Sequence, residues 1–330
     1  MDSHNTLSAR AVPMDTSNVQ IPIITVWVVM TALAAVTVCL RFYTRHSVIH
    51  ILGVEDWLIL IAMVFSAGAC VGSIRQTFFG LGRHIWTLSP EIMVQNGIEQ
   101  FYNFLFHTMS LSFTKLSIIF LYLRIMSHGV QRIATYVLLS IVMACNVWVL
   151  IYQFIQCIPL KALWDPSVPG TCFPLAANIA AAVLHIVTDF IIFLFPIPTL
   201  LTLRIPKKQK IGLVLVFSLS FFVCLISIIR MVVLKNLDLT DVTYSLAASS
   251  YWSAVEINLA VICACLTTLK PLLARLFPKL LGTSMASGES SRPNPLPRKL
   301  QLEAPSSRGR PSRRECWRLV QVCVLPPRVR

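Results

Sequence analysis

Charged residues are scarce in this sequence. Only 13% of its 330 residues are Asp, Glu, Lys or Arg, against about a quarter in an ordinary soluble domain. This scarcity excludes a soluble globular enzyme. Glycine is also infrequent, at 12 residues, and the 19 prolines follow no fixed period, which excludes a collagen-like chain. Hydrophobic residues make up 56% of the chain and stand in long runs, so the protein is predicted to lie in a lipid bilayer.

Seven apolar runs are each long enough to cross the bilayer as a helix, which takes about 20 residues for a hydrocarbon core of about 30 Å. We therefore predict an all-α, polytopic membrane protein with seven transmembrane helices within residues 21–281. Residues 1–20 are predicted to form a short extracellular N-terminus and residues 282–330 a disordered basic cytoplasmic tail. The predicted spans are residues 21–40, 57–74, 100–123, 133–156, 177–203, 211–234 and 250–269.

The distribution of Lys and Arg between the loops predicts the orientation, because short loops rich in these residues stay cytoplasmic. One set of loops carries eight of them: Arg41, Arg45, Arg124, Arg132, Arg204, Lys207, Lys208 and Lys210. The alternate set, together with the N-terminus, carries four: Arg10, Arg83, Lys161 and Lys235. This asymmetry predicts that the N-terminus is outside and the C-terminus cytoplasmic.

The predicted tail is strongly basic. It holds 10 basic and 3 acidic residues between Thr283 and Arg330 and is rich in Ser and Pro, so it cannot bury enough apolar surface to fold. An Arg-rich segment can bind nucleic acid, but a tail tethered to a membrane meets lipid headgroups first. We therefore predict the lipid bilayer as a partner and no nucleic acid.

Two of the ten cysteines are predicted to face the oxidising side of the membrane. Cys157 and Cys172 bracket the loop between the fourth and fifth spans, and closing a loop of about 15 residues stabilises a fold by roughly 3 kcal/mol. A disulfide is the preferred interpretation, and two free thiols are the alternative. No second Cys pair or His pair accompanies them, so no metal site is predicted.

Four charged residues lie within the predicted spans, where a charge at the bilayer centre costs roughly 2.5 to 3.5 kcal/mol and requires a partner. They are Lys115, Asp189, Arg230 and Glu256. Their estimated depths, at about 1.5 Å per helical residue, predict two ion pairs, Lys115 with Asp189 and Arg230 with Glu256. His185 is one turn before Asp189 and shares its helix face.

Three interpretations of these groups remain open. The ion pairs can simply fix how the helices pack. Alternatively, they can belong to a ligand pocket that opens to the outer side. Asp189 and Glu256 can also act as acid and base catalysts, since carboxyl groups in apolar sites readily deliver protons. The residues predicted to line the pocket are His185, Asp189, Trp252, Glu256 and Asn258.

A seven-helix protein invites comparison with retinal proteins, which need a lysine amine for a Schiff base, normally from the middle of the seventh helix. The seventh run has no lysine before Lys270, at its cytoplasmic end, and Lys115 is predicted to be paired. We therefore predict no retinal and no other cofactor. The third run ends in YLRIM, without the acidic-Arg-Tyr triplet of G-protein-coupled receptors, so coupling to G proteins has no support from this motif.

From about Arg41 to Pro278, the chain resembles the fungal rhodopsin-like integral membrane proteins, a seven-helix family also named after a member of a satratoxin biosynthetic cluster. The resemblance rests on spaced motifs in the loops and spans. These are RFYTR, GVEDWLIL, GLGRHIW, TKLSIIFLYLRIM, QCIPLKALWDPSVPGTC, NIAAAVLHIVTDFIIFLFPIP and WSAVEINLAVICACLTTLKPLL.

The resemblance implies a fungal membrane protein in a family whose members are described as receptor-like and are in some cases encoded within secondary-metabolite gene clusters. Our leading hypothesis is a non-enzymatic, receptor-like or accessory protein that binds a small lipophilic molecule for sensing or tolerance. A membrane-embedded cyclase or isomerase that uses Asp189 and Glu256 is the second hypothesis. A metabolite exporter is the third, since no internal repeat is found. The plasma membrane is the default location, and an endomembrane is the alternative.

Overall fold

The fold is a bundle of seven long helices. A computed structural model describes residues 19–126, 129–198, 207–236 and 240–276. Where the structure describes the connections between these helices, they contain a π-helical turn at Thr44–Ile49, two short 3₁₀ turns at Ile85–Thr87 and Leu160–Leu163, and an antiparallel hairpin of β1 (Cys157–Ile158) and β2 (Thr171–Cys172). The helices are α1 (Gln20–Tyr43), α2 (Val54–Phe78), α3 (Pro90–Ile125), α4 (Gly129–Ile155), α5 (Leu175–Leu194), α6 (Lys207–Lys235) and α7 (Val242–Leu276).

Seven helices in the described residues are long and apolar enough to cross a membrane, which confirms the predicted number of spans. The boundaries differ most at α3, which begins at Pro90, ten residues before the predicted start. Its first turns carry Glu91, Asn96 and Glu99, which ended the apolar run, yet proline at the first helical position favours the helix. Residues 1–18 and 277–330 lie outside the described residues, so the tail and the membrane orientation stay predictions.

A ladder of polar side chains joins the antiparallel helices α2 and α3. Four α3 side chains at intervals of seven residues donate hydrogen bonds to four α2 carbonyl oxygens that are also seven residues apart, at distances from 2.6 to 3.4 Å. A seven-residue interval is close to two helical turns, so the donors share one face. The bonds run from Asn96 to Gln76, Asn103 to Ala69, Ser110 to Ala62 and Ser117 to Glu55.

Helix α7 lies at the centre of the bundle and packs against α1, α2, α3 and α6. A core of apolar side chains from α1, α2, α3 and α7 fills the space around it, with Trp27 and Ile257 fully buried. Polar contacts cross the same region: the Nε1 of Trp27 donates to Ser250. Asn258 accepts a hydrogen bond from Ser66 at 2.8 Å. Small residues at these crossings, such as Ala254, let the helices approach closely.

An ion network closes the end of the bundle at which α1 and α3 end and α2 begins. The Nε of Arg41 lies 2.8 Å from the Oδ1 of Asp56, and its Nη1 donates to the carbonyl of Ala264 on α7. Glu55 pairs with Arg45 and with Arg124. Three of the motifs that carry the family resemblance, RFYTR, GVEDWLIL and YLRIM, therefore meet in one network that fixes these helix ends.

We expect Ser110→Ala to lower the free energy of unfolding by about 0.6 to 1 kcal/mol, the usual size of a side-chain hydrogen bond between transmembrane helices. The loss is small because the carbonyl of Ala62 also accepts the helical hydrogen bond from the backbone N–H of Ser66, four residues later. The measurement is unfolding of the protein in bicelles or nanodiscs.

Ser112→Ala on the same helix is the matched control, because the Oγ of Ser112 is buried and has no hydrogen-bond partner among the described residues. This variant should keep or slightly raise the stability of the protein. Equal losses in the two variants would contradict a stabilising role of the ladder.

Candidate ligand cavity

A cavity of about 460 Å³ lies at the end of the bundle where α3, α5 and α7 begin. Charge asymmetry predicts that this end faces the outside. Side chains of α3 to α7 form its walls, and the two loops α2–α3 and α4–α5 reach its edge. Its walls include the apolar side chains Phe101, Phe104, Leu111, Val149, Ile186 and Leu234.

The charged centre of this cavity is a buried triad. The Nη1 of Arg230 on α6 donates to the Oε2 of Glu256 on α7 at 2.9 Å. The Nε2 of His107 on α3 lies 3.1 Å from the same oxygen. Glu256 is 3% exposed, and the ring of Phe104 lies 5.8 Å from the guanidinium carbon of Arg230. The structure therefore brings Arg230 and Glu256 together, and three helices meet at one carboxylate.

A second ion pair lies deeper in the bundle. The Nζ of Lys115 on α3 is 3.1 Å from the Oδ1 of Asp189 on α5. It also donates to the Oγ1 of Thr188 at 2.8 Å and to the carbonyl of His185 at 3.1 Å. With these contacts the ammonium is well satisfied. Lys115 and Asp189 line a separate cavity of about 70 Å³, whereas His185 lines the large one.

The five residues predicted to form one pocket are thus divided. His185 and Glu256 line the large cavity and Asp189 the small one, while Trp252 and Asn258 are in the lining of neither. The reason is their position on α7: Ser249, Ser253 and Glu256 recur every three or four residues along the cavity face. Trp252 precedes Ser253 by one residue, about 100° around the helix. Asn258 follows Glu256 by two and points toward α1 and α2, where it bonds Ser66 and Thr31.

His107 is the functional candidate that the sequence prediction missed. The sequence prediction started from the Lys, Arg, Asp and Glu residues within the spans and added His185 because it is one turn before Asp189. His107 is not within one turn of any of these residues. Its spacing could have indicated it, since His107 lies on α3 three residues before Ser110, on a face that is polar along the whole helix. That stripe predicts a buried environment.

The α4–α5 loop forms a lid at the edge of the cavity. Cys157 and Cys172 form a disulfide, which confirms that prediction, and the two residues are paired in the β1–β2 hairpin. Trp164 lines the cavity and packs on Phe101, with ring centroids 5.8 Å apart. It also covers Gly97 of α3, where a Cβ atom would come within 2.6 Å of the Cβ of Trp164. A glycine is required there for the lid to approach α3.

Asp165 follows Trp164 and closes a turn at the exposed side of the lid. The hydroxyl and backbone N–H of Ser167 both donate to its Oδ1. These hydrogen bonds favour the carboxylate and hold the pKa of Asp165 below its ordinary value. Lys161, 3.5 Å away, adds a smaller effect in the same direction.

Ring stacking and hydrogen bonds hold the α2–α3 loop against the start of α7. The ring of His84 stacks between Trp86 and Tyr244, with centroid distances of 4.5 and 4.3 Å. Its Nδ1 lies 2.5 Å from the Oδ2 of Asp241, and the backbone N–H of Gly82 donates to the carbonyl of Thr243. Gly82 has a φ of +82°, a conformation that other residues rarely adopt. The GLGRHIW motif thus forms a second fixed edge of the cavity.

The family assignment agrees with this architecture. The sequence profile of the fungal rhodopsin domain matches residues 40–275. The chain belongs to this family. With seven apolar helices, this fungal rhodopsin-domain protein is an integral membrane protein. No solved structure matches it.

Several fungal proteins are similar to this family member over much of its length. A SAT4 family membrane protein of Emericella nidulans is 27% identical over 64% of this chain and 56% of its own length. Wortmanamides biosynthesis cluster protein C of Talaromyces wortmannii is 26% identical over 78% of this chain and 72% of its own length. Receptor GIN3 of Arthrobotrys oligospora is 24% identical over 82% and 66%, respectively. The chain thus spans little more than half the length of the Emericella protein.

We expect Lys115→Met to destabilise the protein by about 3 to 5 kcal/mol, because Asp189 would be left buried and unpaired. The double variant Lys115→Met/Asp189→Asn should recover most of this loss, since the uncompensated charge is removed. Thermal unfolding in nanodiscs measures both effects.

Lys161→Met is the matched control, since its partner Asp165 lies in an exposed ion pair with Lys161 63% exposed. This variant should leave the stability unchanged. A double variant that is less stable than Lys115→Met would contradict the electrostatic explanation.

Proposed function

We propose that this protein binds a small lipophilic molecule within the membrane, as a receptor-like or accessory component of a fungal secondary-metabolite pathway. One observation carries the proposal: a cavity of about 460 Å³, with largely apolar walls, is lined by a hydrogen-bonded cluster of Arg230, Glu256 and His107. Cavities of about 300 to 1,000 Å³ with a few convergent polar groups are typical of small-molecule sites.

The arrangement of the polar centre favours binding over packing alone. An ion pair that only fixed helix register would be enclosed by side chains, as Lys115 and Asp189 largely are. Arg230 and Glu256 instead line the large cavity, together with His107 and His185. A lipophilic ligand that reaches this space would find apolar contacts on most sides and a fixed set of donors and acceptors at one point.

The names of two relatives support the biological setting. The Talaromyces protein is named for the wortmanamides biosynthesis cluster, and the Arthrobotrys protein is named a receptor. Those names concern those proteins; we carry over the setting that they name as a proposal, because a shared fold does not by itself establish a function. We further propose the plasma membrane as its default location, with an endomembrane as the alternative.

Acid and base catalysis is the second candidate, and it is favoured by the contact between His107 and Glu256 at 3.1 Å on the cavity wall. Two features make it secondary. The hydrogen bonds from Arg230 and His107 converge on one oxygen of Glu256. Asp189, the other proposed catalyst, lines the separate small cavity. Export ranks third, because no repeat supports it.

We also propose that the protein functions without retinal. The α7 residues that line the large cavity are Val242, Thr243, Leu246, Ser249, Ser250, Ser253 and Glu256, and none of these is a lysine. The amine of Lys115 already contacts Asp189, Thr188 and His185. A Schiff base there would break these contacts, and the adjacent cavity of about 70 Å³ is too small for the chromophore.

We expect Ala182→Phe to weaken ligand binding strongly, because Ala182 lines the large cavity and the added phenyl ring would occupy part of its volume. Ala180→Phe is the matched control: it makes the same change on the same helix at an exposed position. Wild type and both variants are incubated in nanodiscs with an organic extract of the source fungus, and the retained small molecules are identified by mass spectrometry. Compounds retained by wild type and Ala180→Phe, but lost in Ala182→Phe, support the proposal.

Equal retention in all three proteins would refute binding in this cavity. The catalytic alternative is separated by profiling metabolites of a deletion strain complemented with wild type or Glu256→Gln. A trapped precursor with loss of a product in the Glu256→Gln strain would favour chemistry at the carboxylate, and an unchanged set of products would favour sensing or tolerance.

A further inference from the structure

Arg230 has hydrogen-bonding capacity that the protein does not use. A guanidinium carries five N–H donors in a planar fork. The Nη1 of Arg230 donates to Glu256, whereas its Nε is buried and has no hydrogen-bond partner within the described residues. A buried donor without a partner costs free energy. The Nε itself is enclosed by protein atoms, but Arg230 lines the large cavity, so its guanidinium is a point where an incoming acceptor would be stabilised.

Neighbouring polar side chains at the cavity are, by contrast, engaged with each other. Tyr152 donates to Asn178 at 2.9 Å, and Gln76 donates to Gln100 at 2.5 Å. The amide nitrogen of Asn103 donates to α2 in the polar ladder. These groups already form hydrogen bonds within the protein. Arg230, by contrast, has an N–H donor without a partner among the described residues.

Charge balance restricts what the acceptor can be. Among the described residues that line the large cavity, the Lys, Arg, Asp and Glu side chains are Arg230 and Glu256, one of each sign. They lie 2.9 Å apart and neutralise each other. An ionised ligand would add an unbalanced charge to a site of low dielectric, which is costly. A neutral oxygen acceptor would meet the free donor without this cost.

The surroundings of Arg230 define how the rest of the ligand would lie. The ring of Phe104 is 5.8 Å from the guanidinium carbon and helps to orient its plane. Beyond this point, Met231, Leu234 and Leu246 line the wall toward the loops. A molecule whose acceptor reached Arg230 would place its apolar body against these side chains.

We infer that the cavity takes a neutral lipophilic molecule that carries a carbonyl oxygen, as in a ketone, ester, lactone or amide, and that this oxygen accepts a hydrogen bond from the guanidinium of Arg230. The inference rests on the proposed function, because it names the ligand class of the same cavity. It assigns Arg230 as a binding residue and leaves Glu256 as its positioning partner.

The test uses four probes of similar chain length: 2-tridecanone, tridecane, dodecanoate and dodecylamine. Their retention by protein-loaded nanodiscs, relative to empty nanodiscs of the same lipid, is measured by mass spectrometry. Wild type should retain 2-tridecanone at least about tenfold more strongly than tridecane, the ratio expected for one hydrogen bond from a charged donor. Dodecanoate and dodecylamine should be retained less than the ketone.

The double variant Arg230→Met/Glu256→Leu removes the guanidinium together with the carboxylate that it neutralises, so neither charge is left buried and unpaired. This variant should lose the preference for the ketone and bind tridecane as wild type does. Infrared spectra of ¹³C-carbonyl-labelled 2-tridecanone give a readout that does not depend on any variant: in wild type, the bound carbonyl stretch should lie at lower frequency than in empty nanodiscs.

The outcomes separate this inference from the proposed function. Equal retention of 2-tridecanone and tridecane by wild type, with no shift of the carbonyl band, would overturn the ligand class while leaving cavity binding intact. Stronger retention of dodecanoate than of the ketone would overturn the requirement for a neutral ligand. If wild type retains none of the four probes above empty nanodiscs, cavity binding fails and the inference fails with it.

Discussion

The polar ladder between α2 and α3 is the interaction on which the rest of the bundle depends. Lipid does not drive helices together through the hydrophobic effect, so hydrogen bonds and close packing must do so. The ladder uses one face of α3, from Asn96 to Ser117, at intervals of seven residues. With that face fixed on α2, the rotation of α3 about its axis is fixed as well, and neighbouring positions on α3 are held toward α5 and α7. His107 then reaches α7 and Lys115 reaches α5.

The two ion pairs extend this order to the second half of the bundle. Lys115 and Asp189 fix α5 on α3, and Arg230 and Glu256 fix α6 on α7. The two pairs have different surroundings: the ammonium of Lys115 is surrounded by protein acceptors, whereas Arg230 keeps a donor unused beside a large cavity. Oppositely charged residues thus pair in both places, and only Arg230 and Glu256 line the large cavity.

Much of this fold could be predicted from the sequence, because a bilayer permits few alternatives. Apolar runs must be helices, since every backbone group needs an internal partner. Charges such as Lys115 and Asp189 must find counter-charges at similar depth. A Cys pair that brackets a loop predicted to lie outside, as Cys157 and Cys172 do, favours a disulfide. Each of these constraints acts between residues that are near in the chain or depends only on depth in the membrane. A single sequence is therefore enough to predict them.

The composition of the cavity could not be predicted in the same way. Which face of α7 meets the cavity depends on how the helix is rotated in the bundle, so Glu256 lines it and Asn258, two residues later, contacts α1 and α2 instead. His107 is neither Lys, Arg, Asp nor Glu, and it lies more than one helical turn from any of these residues in its predicted span. The lid position of Trp164 depends on Gly97, 67 residues earlier in the chain. Such features arise from tertiary packing.

A cryo-electron microscopy map of the protein, purified from its source fungus in native lipid nanodiscs, would test the central claim most directly. Occupation of the cavity by a small molecule predicts non-protein density between Phe104, Arg230 and Trp164, within hydrogen-bonding distance of the guanidinium of Arg230. A cavity filled by the protein's own side chains, or small-molecule density only at the lipid-facing surface, would contradict a binding role for this site.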